Sequence, residues 1–221
     1  MKGFDPVIFD LDGTLVDTVA LIRASFRYAS REVLGEQLPD EVLMAGVGKP
    51  LMTQMRELAP DRAQDLYDAY RAHNRRVHDE MIAAYDGIEA ALGRLTAAER
   101  RLAIVTSKSA DTTEMAFRAV GLREHFEVVV TMSDTTDHKP SPAPILLALE
   151  RLGAGPERAV YVGDAPVDVA AGRAAGLATV AVLWGAFPPA ALAAAAPDYT
   201  VATPAELADL CLDGATVPRP S

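Results

Sequence analysis

Four short segments of the chain carry side chains that can bind a cation and a phosphate group. They are Phe9–Thr14, Thr106–Ser107, Lys139–Pro140 and Gly163–Asp168. The first holds Asp10 and Asp12, and the last holds Asp164 and Asp168. Taken singly, each segment has an ordinary structural explanation, because aspartate, serine and threonine cap helices and most lysines are solvated. Together they supply four carboxylates, a lysine and the hydroxyls of Thr106 and Ser107, which are the groups that metal-assisted phosphoryl chemistry uses.

The elements that must position these side chains are short apolar runs typical of buried strands. Five such runs occur, at Val7–Asp10, Leu102–Thr106, Val128–Thr131, Ala159–Gly163 and Thr179–Leu183. Segments of helical periodicity lie between them, at about residues 88–96, 110–121, 142–152 and 167–175. Strands that alternate with helices pair in parallel. The sequence therefore predicts an α/β fold with a doubly wound parallel sheet.

The carboxyl ends of the strands in such a sheet meet at one edge, where ligands bind. We therefore expect Asp10, Asp12, Asp164 and Asp168 to converge there. Two carboxylates about 4 Å apart repel by roughly 4 kcal/mol at an effective dielectric constant near 20, so the cluster needs a cation. Oxygen ligands without histidine or cysteine favour Mg²⁺ over zinc, and Mg²⁺ often joins carboxylates to a substrate phosphate. The sequence thus predicts a Mg²⁺ site.

Residues 18–85 form a stretch that is too long for one crossover and shows no convincing strand. Its apolar residues recur at helical spacing, as in Val19, Ile22 and Phe26. We interpret residues 17–85 as an all-helical cap domain inserted into a core domain of residues 1–16 and 86–221. The alternative is a set of helices packed onto the edge of the sheet. Further on, we expect a late helix at residues 189–196 and a frayed tail at residues 213–221.

The composition narrows the class of protein. The chain has 221 residues, of which 50% are hydrophobic and 24% are charged, as in globular proteins. Its formal net charge of -10 disfavours nucleic acid and anionic membrane surfaces as partners. Cys211 is the only cysteine, so an internal disulfide and a cysteine zinc site are excluded. No signal peptide or apolar run of about 18 residues is evident, and we expect a cytoplasmic protein, a monomer or homodimer, with no membrane contact.

Jointly, the four segments resemble the motifs of the haloacid dehalogenase superfamily, specifically its phosphoglycolate phosphatase-like branch with a helical cap after the first strand. The resemblance covers nearly the whole chain. It implies a Mg²⁺-dependent phosphatase that hydrolyses a small-molecule phosphate monoester through an aspartyl-phosphate intermediate. By this resemblance, Asp10 is the nucleophile, and Asp12 is first the general acid and then the general base.

The resemblance also implies roles for the remaining motif residues. Mg²⁺ is held by Asp10, the backbone carbonyl of Asp12, and Asp164, and Asp168 supports the site. The groups that bind the phosphoryl oxygens are Thr106, Ser107 and Lys139.

The glycine-rich segment Gly46–Pro50 is expected to be a cap turn that closes over the active site. It is not a nucleotide-binding P-loop, because Leu43 and Pro50 stand where that motif requires glycine and serine or threonine. Lys49 is a candidate contact to an anionic group of the substrate. The alternative is an ordinary turn with a solvated lysine.

Two histidines of the same stretch, His73 and His78, are five residues apart on a predicted helix. This spacing does not place them on one face, as a metal-binding pair requires. We expect both side chains to be solvated.

Several functions compete with a monoester phosphatase. A sugar phosphomutase of the same branch typically has Glu-Asp where this chain has Gly163-Asp164, and a pyrophosphatase is a further alternative. A phosphorylation-controlled receiver module is disfavoured because its acceptor lies on a later strand than its acidic pair. A catalytically silent binding protein is disfavoured because the motif positions are intact. The sequence leaves the substrate open.

Overall fold

A six-stranded parallel sheet forms the centre of the computed structural model, which describes residues 3–214. The strands in chain order are β1 (Val7–Phe9), β2 (Val16–Asp17), β3 (Ala83–Ala84), β4 (Leu102–Val105), β5 (Val128–Val130), β6 (Val160–Gly163), β7 (Ala178–Val182) and β8 (Tyr199–Val201). The sheet has the order β5-β4-β1-β6-β7-β8, and its neighbours pair in parallel. The predicted doubly wound α/β fold is therefore confirmed.

Helices cover both faces of the sheet. The helices are α1 (Val19–Leu34), α2 (Asp40–Met44), α3 (Leu51–Leu58), α4 (Ala63–Val77), α5 (Ile88–Ala97), α6 (Ala110–Val120), α7 (Ala143–Leu152), α8 (Pro166–Ala174), α9 (Pro189–Ala194) and α10 (Pro204–Asp213). Successive strand residues face opposite sides, so Phe9 and Val162 pack with α5, α6 and α10, whereas Ile8 and Tyr161 pack with α7 and α8. Within residues 3–214, no helix has the length and apolar character needed to cross a membrane.

The strand order reverses at β1. Strands β4 and β5 lie on one side of β1, and β6, β7 and β8 lie on the other. In a sheet of this kind, ligands bind beyond the carboxyl ends of the strands at the point of reversal. Asp10 follows β1 directly and Asp164 follows the neighbouring β6 directly. The fold thus delivers two of the predicted site residues to this point from adjacent strands.

Helices α1 to α4 form the insertion between β2 and β3, and they share an apolar cluster of their own. In this cluster the rings of Phe26 and Tyr70 meet edge to face, with centroids 4.9 Å apart. The expectation of no strand in this stretch is wrong for Ala83–Ala84. These residues pair antiparallel with Val16–Asp17 because the chain leaves and re-enters the core side by side. The division into domains at residues 17 and 85 stays a prediction.

The C-terminal elements β8 and α10 were not foreseen from the sequence. Strand β8 has three residues, too few to show a period of two. Helix α10 begins after Thr203, whose side-chain Oγ1 accepts a hydrogen bond from the backbone N–H of Glu206 at 3.2 Å. Asp213 is the last residue of α10, so the predicted tail does not begin there. The rest of that tail, from residue 215 onward, lies outside the described residues.

His78 is fully buried, so the expectation that it is solvated is wrong. It follows α4 and continues the four-residue spacing of Tyr70 and Asn74, which are buried on that helix. Its ring Nδ1 lies 2.7 Å from Oδ1 of Asp79. His73 is half-buried and stacks on the ring of Tyr28, with centroids 4.6 Å apart.

Candidate active site

The first motif leaves β1 and turns tightly over the edge of the sheet. Asp10 is only 4% exposed, and its backbone N–H donates to the carbonyl of Val162 at 2.9 Å. Gly13 has a φ of 78°, which favours glycine, and a Cβ there would lie 2.3 Å from Oδ2 of Asp164. Glycine at this position therefore lets the turn that carries Asp12 approach Asp164 closely.

Lys139 is buried between two of the predicted carboxylates. Its Nζ lies 3.0 Å from Oδ1 of Asp10 and 2.7 Å from Oδ1 of Asp168. Burial alone lowers the pKa of Lys139, but Asp10 and Asp168 raise it, and the net effect is a pKa well above that of a free lysine. Oδ2 of Asp168 accepts from the backbone N–H of Ala165 at 3.0 Å. Because both of its oxygens are engaged, Asp168 is placed to hold Lys139 against Asp10.

Asp10, Asp164 and Asp168 form a buried acidic cluster in which one oxygen of each lies within 4.8 Å of the others. Burial raises the pKa of Asp10 to about 7. Burial, together with the charges of Asp168 and Asp10, raises the pKa of Asp164 well above its usual value. One lysine does not balance this negative charge. A hard divalent cation fits an all-oxygen donor set of this kind, and Mg²⁺ is such a cation.

The loop after β7 fixes the orientation of Asp164. The backbone N–H of Ala186 donates to Oδ2 of Asp164 at 2.6 Å. A Cβ at Gly185 would lie 2.3 Å from the Cβ of Asp164, so a larger residue would push this loop away. On the other side, the hydroxyl of Thr14 lies 3.4 Å from Oδ1 of Asp164. The sequence interpretation missed this loop, and its only signal was a pair of small residues just after a strand.

The second motif faces the first across the end of the sheet. Thr106 is 5% exposed, and its Oγ1 accepts from the backbone N–H of Lys108 at 3.2 Å. The Nζ of Lys108 donates to Oδ1 of Asp12 at 2.7 Å. The sequence interpretation gave Lys108 no role. The signal that could have found it was its position directly after the two hydroxyls assigned to phosphate binding.

These side chains open onto a cavity of about 360 Å³ between the core and the helices of the insertion. On the core side it is lined by polar groups, among them Asp10, Asp12, Thr106, Ser107, Lys108 and Asp164. On the opposite side it is lined mainly by apolar groups of α1, α3 and α4, among them Ile22, Phe26, Leu51, Met52, Tyr67 and Tyr70. The structure thus brings most predicted site residues to one cavity, with Lys139 and Asp168 held beside Asp10.

The glycine-rich turn of the insertion lies against the core, where it was expected to close over the site. The hydroxyl of Ser107 donates to the backbone carbonyl of Gly48 at 2.7 Å. A Cβ at Gly48 would lie 2.8 Å from the side chain of Val167 at the start of α8. Lys49 lines the cavity, but its Nζ is 2.8 and 2.9 Å from the two carboxylate oxygens of Glu57. The assignment of Lys49 to substrate binding stays a prediction.

A second contact between the insertion and the core is an ion-pair group that we name the cap latch, formed by Arg71, Arg75, Ser109 and Asp111. Arg71 donates to the hydroxyl of Ser109 at 3.0 Å and to Oδ2 of Asp111 at 2.8 Å. Arg75 donates to the same Oδ2. The hydrogen bond from Ser109, reinforced by both arginines, lowers the pKa of Asp111 well below its usual value. The cap latch therefore stays ionised at neutral pH.

Fold and site together define a doubly wound α/β protein with a helical insertion after its first strand and an oxygen-only acidic centre at the strand ends. The chain belongs to the haloacid dehalogenase-like hydrolase family, whose model matches residues 7–182. This span includes every site residue that the sequence predicted, and the resemblance drawn from the motifs is confirmed.

Individual relatives agree with this family assignment. The chain is 37% identical over 198 residues to a protein named pyrophosphatase PpaX from Bacillus velezensis. The aligned region covers 90% of this chain and 92% of that protein. A predicted phosphatase from Clostridium acetobutylicum has a similar structure, with a TM-score of 0.84, 27% identity and coverage of 94% of this chain and 98% of that one. A predicted phosphoglycolate phosphatase from Haemophilus somnus shares the fold, with a TM-score of 0.81, 24% identity and coverage of 95% and 99%.

Proposed function

We propose that this chain is a Mg²⁺-dependent phosphatase that hydrolyses small-molecule phosphate monoesters through a phosphoryl group carried on Asp10. The arrangement around Asp10 carries the proposal. Its carboxylate follows β1, lines the cavity together with Asp12, and is bonded to a charged lysine. A carboxylate fixed beside a cation on a cavity wall is placed to attack a phosphorus atom and to form a covalent intermediate.

The reaction has two steps. First, a carboxylate oxygen of Asp10 attacks phosphorus, the ester P–O bond breaks, and the leaving oxygen takes a proton from Asp12. Second, the Asp12 carboxylate takes a proton from a water molecule, whose oxygen attacks the same phosphorus. The bond to Asp10 then breaks, which releases inorganic phosphate and restores both side chains. Lys108 orients Asp12 for both transfers through its bond to Oδ1.

The other motif residues bind and orient the phosphoryl group. The hydroxyl of Thr106 and the ammonium of Lys139 provide donors for its oxygens, and the hydroxyl of Ser107 would join them by turning away from the carbonyl of Gly48, to which it donates in this structure. Asp10, the backbone carbonyl of Asp12, and Asp164 would hold Mg²⁺, which when bound neutralises charge on the nucleophile and the phosphoryl group. Asp168 positions Lys139 and does not need to touch the substrate.

A pyrophosphatase is the second candidate, and the observation that favours it is the name of the Bacillus velezensis relative. A sugar phosphomutase is less well supported. Its glutamate would stand at Gly163, where a Cβ would lie 2.4 Å from the carboxyl group of Asp168. A side chain at this position would displace the residue that holds Lys139. The close packing of Asp168 against Gly163 therefore disfavours the glutamate of a phosphomutase at this position.

The test is the release of inorganic phosphate from p-nitrophenyl phosphate and a panel of metabolite monoesters. We expect turnover with Mg²⁺, loss of turnover in EDTA, and recovery when Mg²⁺ is restored. Absence of phosphate release from every ester would refute the proposal; release from pyrophosphate alone would then favour a pyrophosphatase, and no release from pyrophosphate either would favour a receiver module or a silent binding protein. Activation by zinc alone would contradict the assignment of the metal. A cytoplasmic location and a monomeric or homodimeric state stay predictions.

A further inference from the structure

The two walls of the cavity differ in chemistry. The core wall carries the charged and hydroxyl groups that would bind the reacting phosphoryl group. The wall formed by α1, α3 and α4 would face the rest of the substrate, and Ile22, Leu51, Met52 and Tyr67 present half-buried apolar surface there. A cavity of about 360 Å³ falls within the size range of sites that bind organic ligands, roughly 300–1,000 Å³.

The cationic side chains that line the cavity within residues 3–214 are already paired with carboxylates. Lys49 contacts both oxygens of Glu57, and Lys108 contacts Asp12. Arg71 contacts Asp111 through the cap latch. Two neutral amides also line this side of the cavity, but Gln54 donates to the backbone carbonyl of Lys49 and Asn74 donates to the hydroxyl of Ser25. A second anionic group on the substrate would have to compete for one of these existing partners or lie against apolar side chains, and both are unfavourable.

From these observations we infer that the substrate carries an uncharged, largely apolar leaving group, such as a small alkyl or aryl alcohol, rather than a second phosphate or a carboxylate. This inference rests on the proposed phosphatase activity and specifies its substrate class. The residues that set the preference are Ile22, Leu51, Met52 and Tyr67, because they cover the side of the cavity opposite Asp10 and Asp12. A pyrophosphate would leave this surface uncovered.

The first experiment compares two substrates of nearly equal shape, isobutyl phosphate and carboxymethyl phosphate, by kcat/KM with Mg²⁺. The branched alkyl group and the carboxymethyl group have the same number of heavy atoms, so charge is the main difference. We expect wild type to prefer isobutyl phosphate by at least about tenfold. Butyl phosphate should exceed ethyl phosphate by roughly 15-fold, from about 0.8 kcal/mol for each buried methylene.

The second experiment places a cation in the apolar wall. Met52→Lys should raise kcat/KM for carboxymethyl phosphate relative to isobutyl phosphate by about tenfold or more. Thr53→Lys is the matched control, because Thr53 is the next residue of α3, is exposed, and lies outside the cavity lining. This control should leave the wild-type ratio unchanged. If Met52→Lys does not fold, the chain-length series on wild type still decides the question.

The possible failures are distinguishable. Phosphate release from all esters with a preference for carboxymethyl phosphate or pyrophosphate would overturn the inference and leave the phosphatase proposal intact. An absence of chain-length dependence would do the same. No release from any of these compounds would refute the phosphatase proposal itself, and the inference with it.

Discussion

Replacement of Asp10 by asparagine should abolish turnover and yet make the metal-free protein more stable. Asparagine keeps the shape of the side chain and can still accept a hydrogen bond from Lys139, but it cannot form the phosphoryl intermediate. It also removes one negative charge from the cluster with Asp164 and Asp168, whose side chains are almost completely buried. Wild type therefore carries an electrostatic cost that the variant lacks.

The size of this effect follows from the pKa of Asp10. Burial raises it from 3.8 to about 7, so between these pH values the folded protein holds a proton that the unfolded chain has released. Stability therefore falls as pH rises through this window, and the cost is fully present only above about pH 7. About three pKa units correspond to roughly 4 kcal/mol at most. For a chain of this size, about 2–4 kcal/mol raises Tm by about 5–15 °C.

The assay is thermal unfolding of wild type and Asp10→Asn in EDTA at pH 5 and pH 8, alongside steady-state kcat. We expect the variant to gain Tm at pH 8, to gain less than half as much at pH 5, where the unfolded carboxyl is ionised but only about one pKa unit of the cost has developed, and to lose at least about a hundredfold in kcat. Asp61→Asn, at an exposed carboxylate, is the control and should change neither quantity. Lower stability of Asp10→Asn at pH 8, or the same gain at both pH values, would refute the reasoning.

Three other substitutions test the roles of further residues. Asp12→Asn should lower kcat by about 10²–10⁴-fold while intact-mass analysis still detects phosphorylated protein, and phosphate release equal to wild type would remove Asp12 from its role. Asp111→Asn should lower kcat/KM by about threefold to tenfold. We expect 0.5 M KCl to lower kcat/KM of wild type by screening the cap latch, and this salt effect should be absent from Asp111→Asn. Asp65→Asn is the control, because it breaks an exposed ion pair with Arg62 inside the cap, and it should change neither kcat/KM nor its salt response. The reason for the effect expected of Asp111→Asn is that the cap latch joins α4 of the insertion to the residues at the start of α6 and would hold the insertion against the core; a variant that keeps the wild-type rate and salt response would contradict this role. Lys49→Ala should change KM for isobutyl phosphate by less than about twofold, because Glu57 already compensates the charge of Lys49. A large rise in KM for carboxymethyl phosphate alone would instead support the sequence-based assignment of Lys49 to an anionic group of the substrate.

The carboxylates of the site were predictable from the sequence because they depend on strand ends. Asp10 and Asp164 each directly follow a strand whose apolar run is visible in the sequence, and parallel pairing of β1 with β6 fixes their proximity. Lys139 is different, since it lies nine residues after β5 ends. Its place beside Asp10 depends on the path of a loop. The sequence pattern counted Lys139 among the groups of the site, and the family resemblance gave it the role of binding the phosphoryl group.

Contacts made across the cavity could not be predicted in the same way. Ser107 bonds to Gly48, and Arg71 bonds to Asp111, across separations of 59 and 40 residues. Each partner taken alone resembles an ordinary surface or turn residue. The pairs exist only because the insertion packs down onto the core, and the packing angle of four helices is not encoded in the periodicity of any one of them.

The apolar wall shows why substrate preference is harder to infer from sequence than reaction chemistry. Ile22 and Phe26 are four residues apart on α1, and a helical period identifies both only as residues of one buried face. In the structure that face serves two purposes, because both side chains join the apolar cluster of the insertion and also line the cavity. A hydrophobic residue that packs helices and one that contacts a substrate obey the same periodicity. The acidic motifs are less ambiguous. A cluster of buried carboxylates destabilises the fold, so its presence indicates a chemical role rather than a packing role.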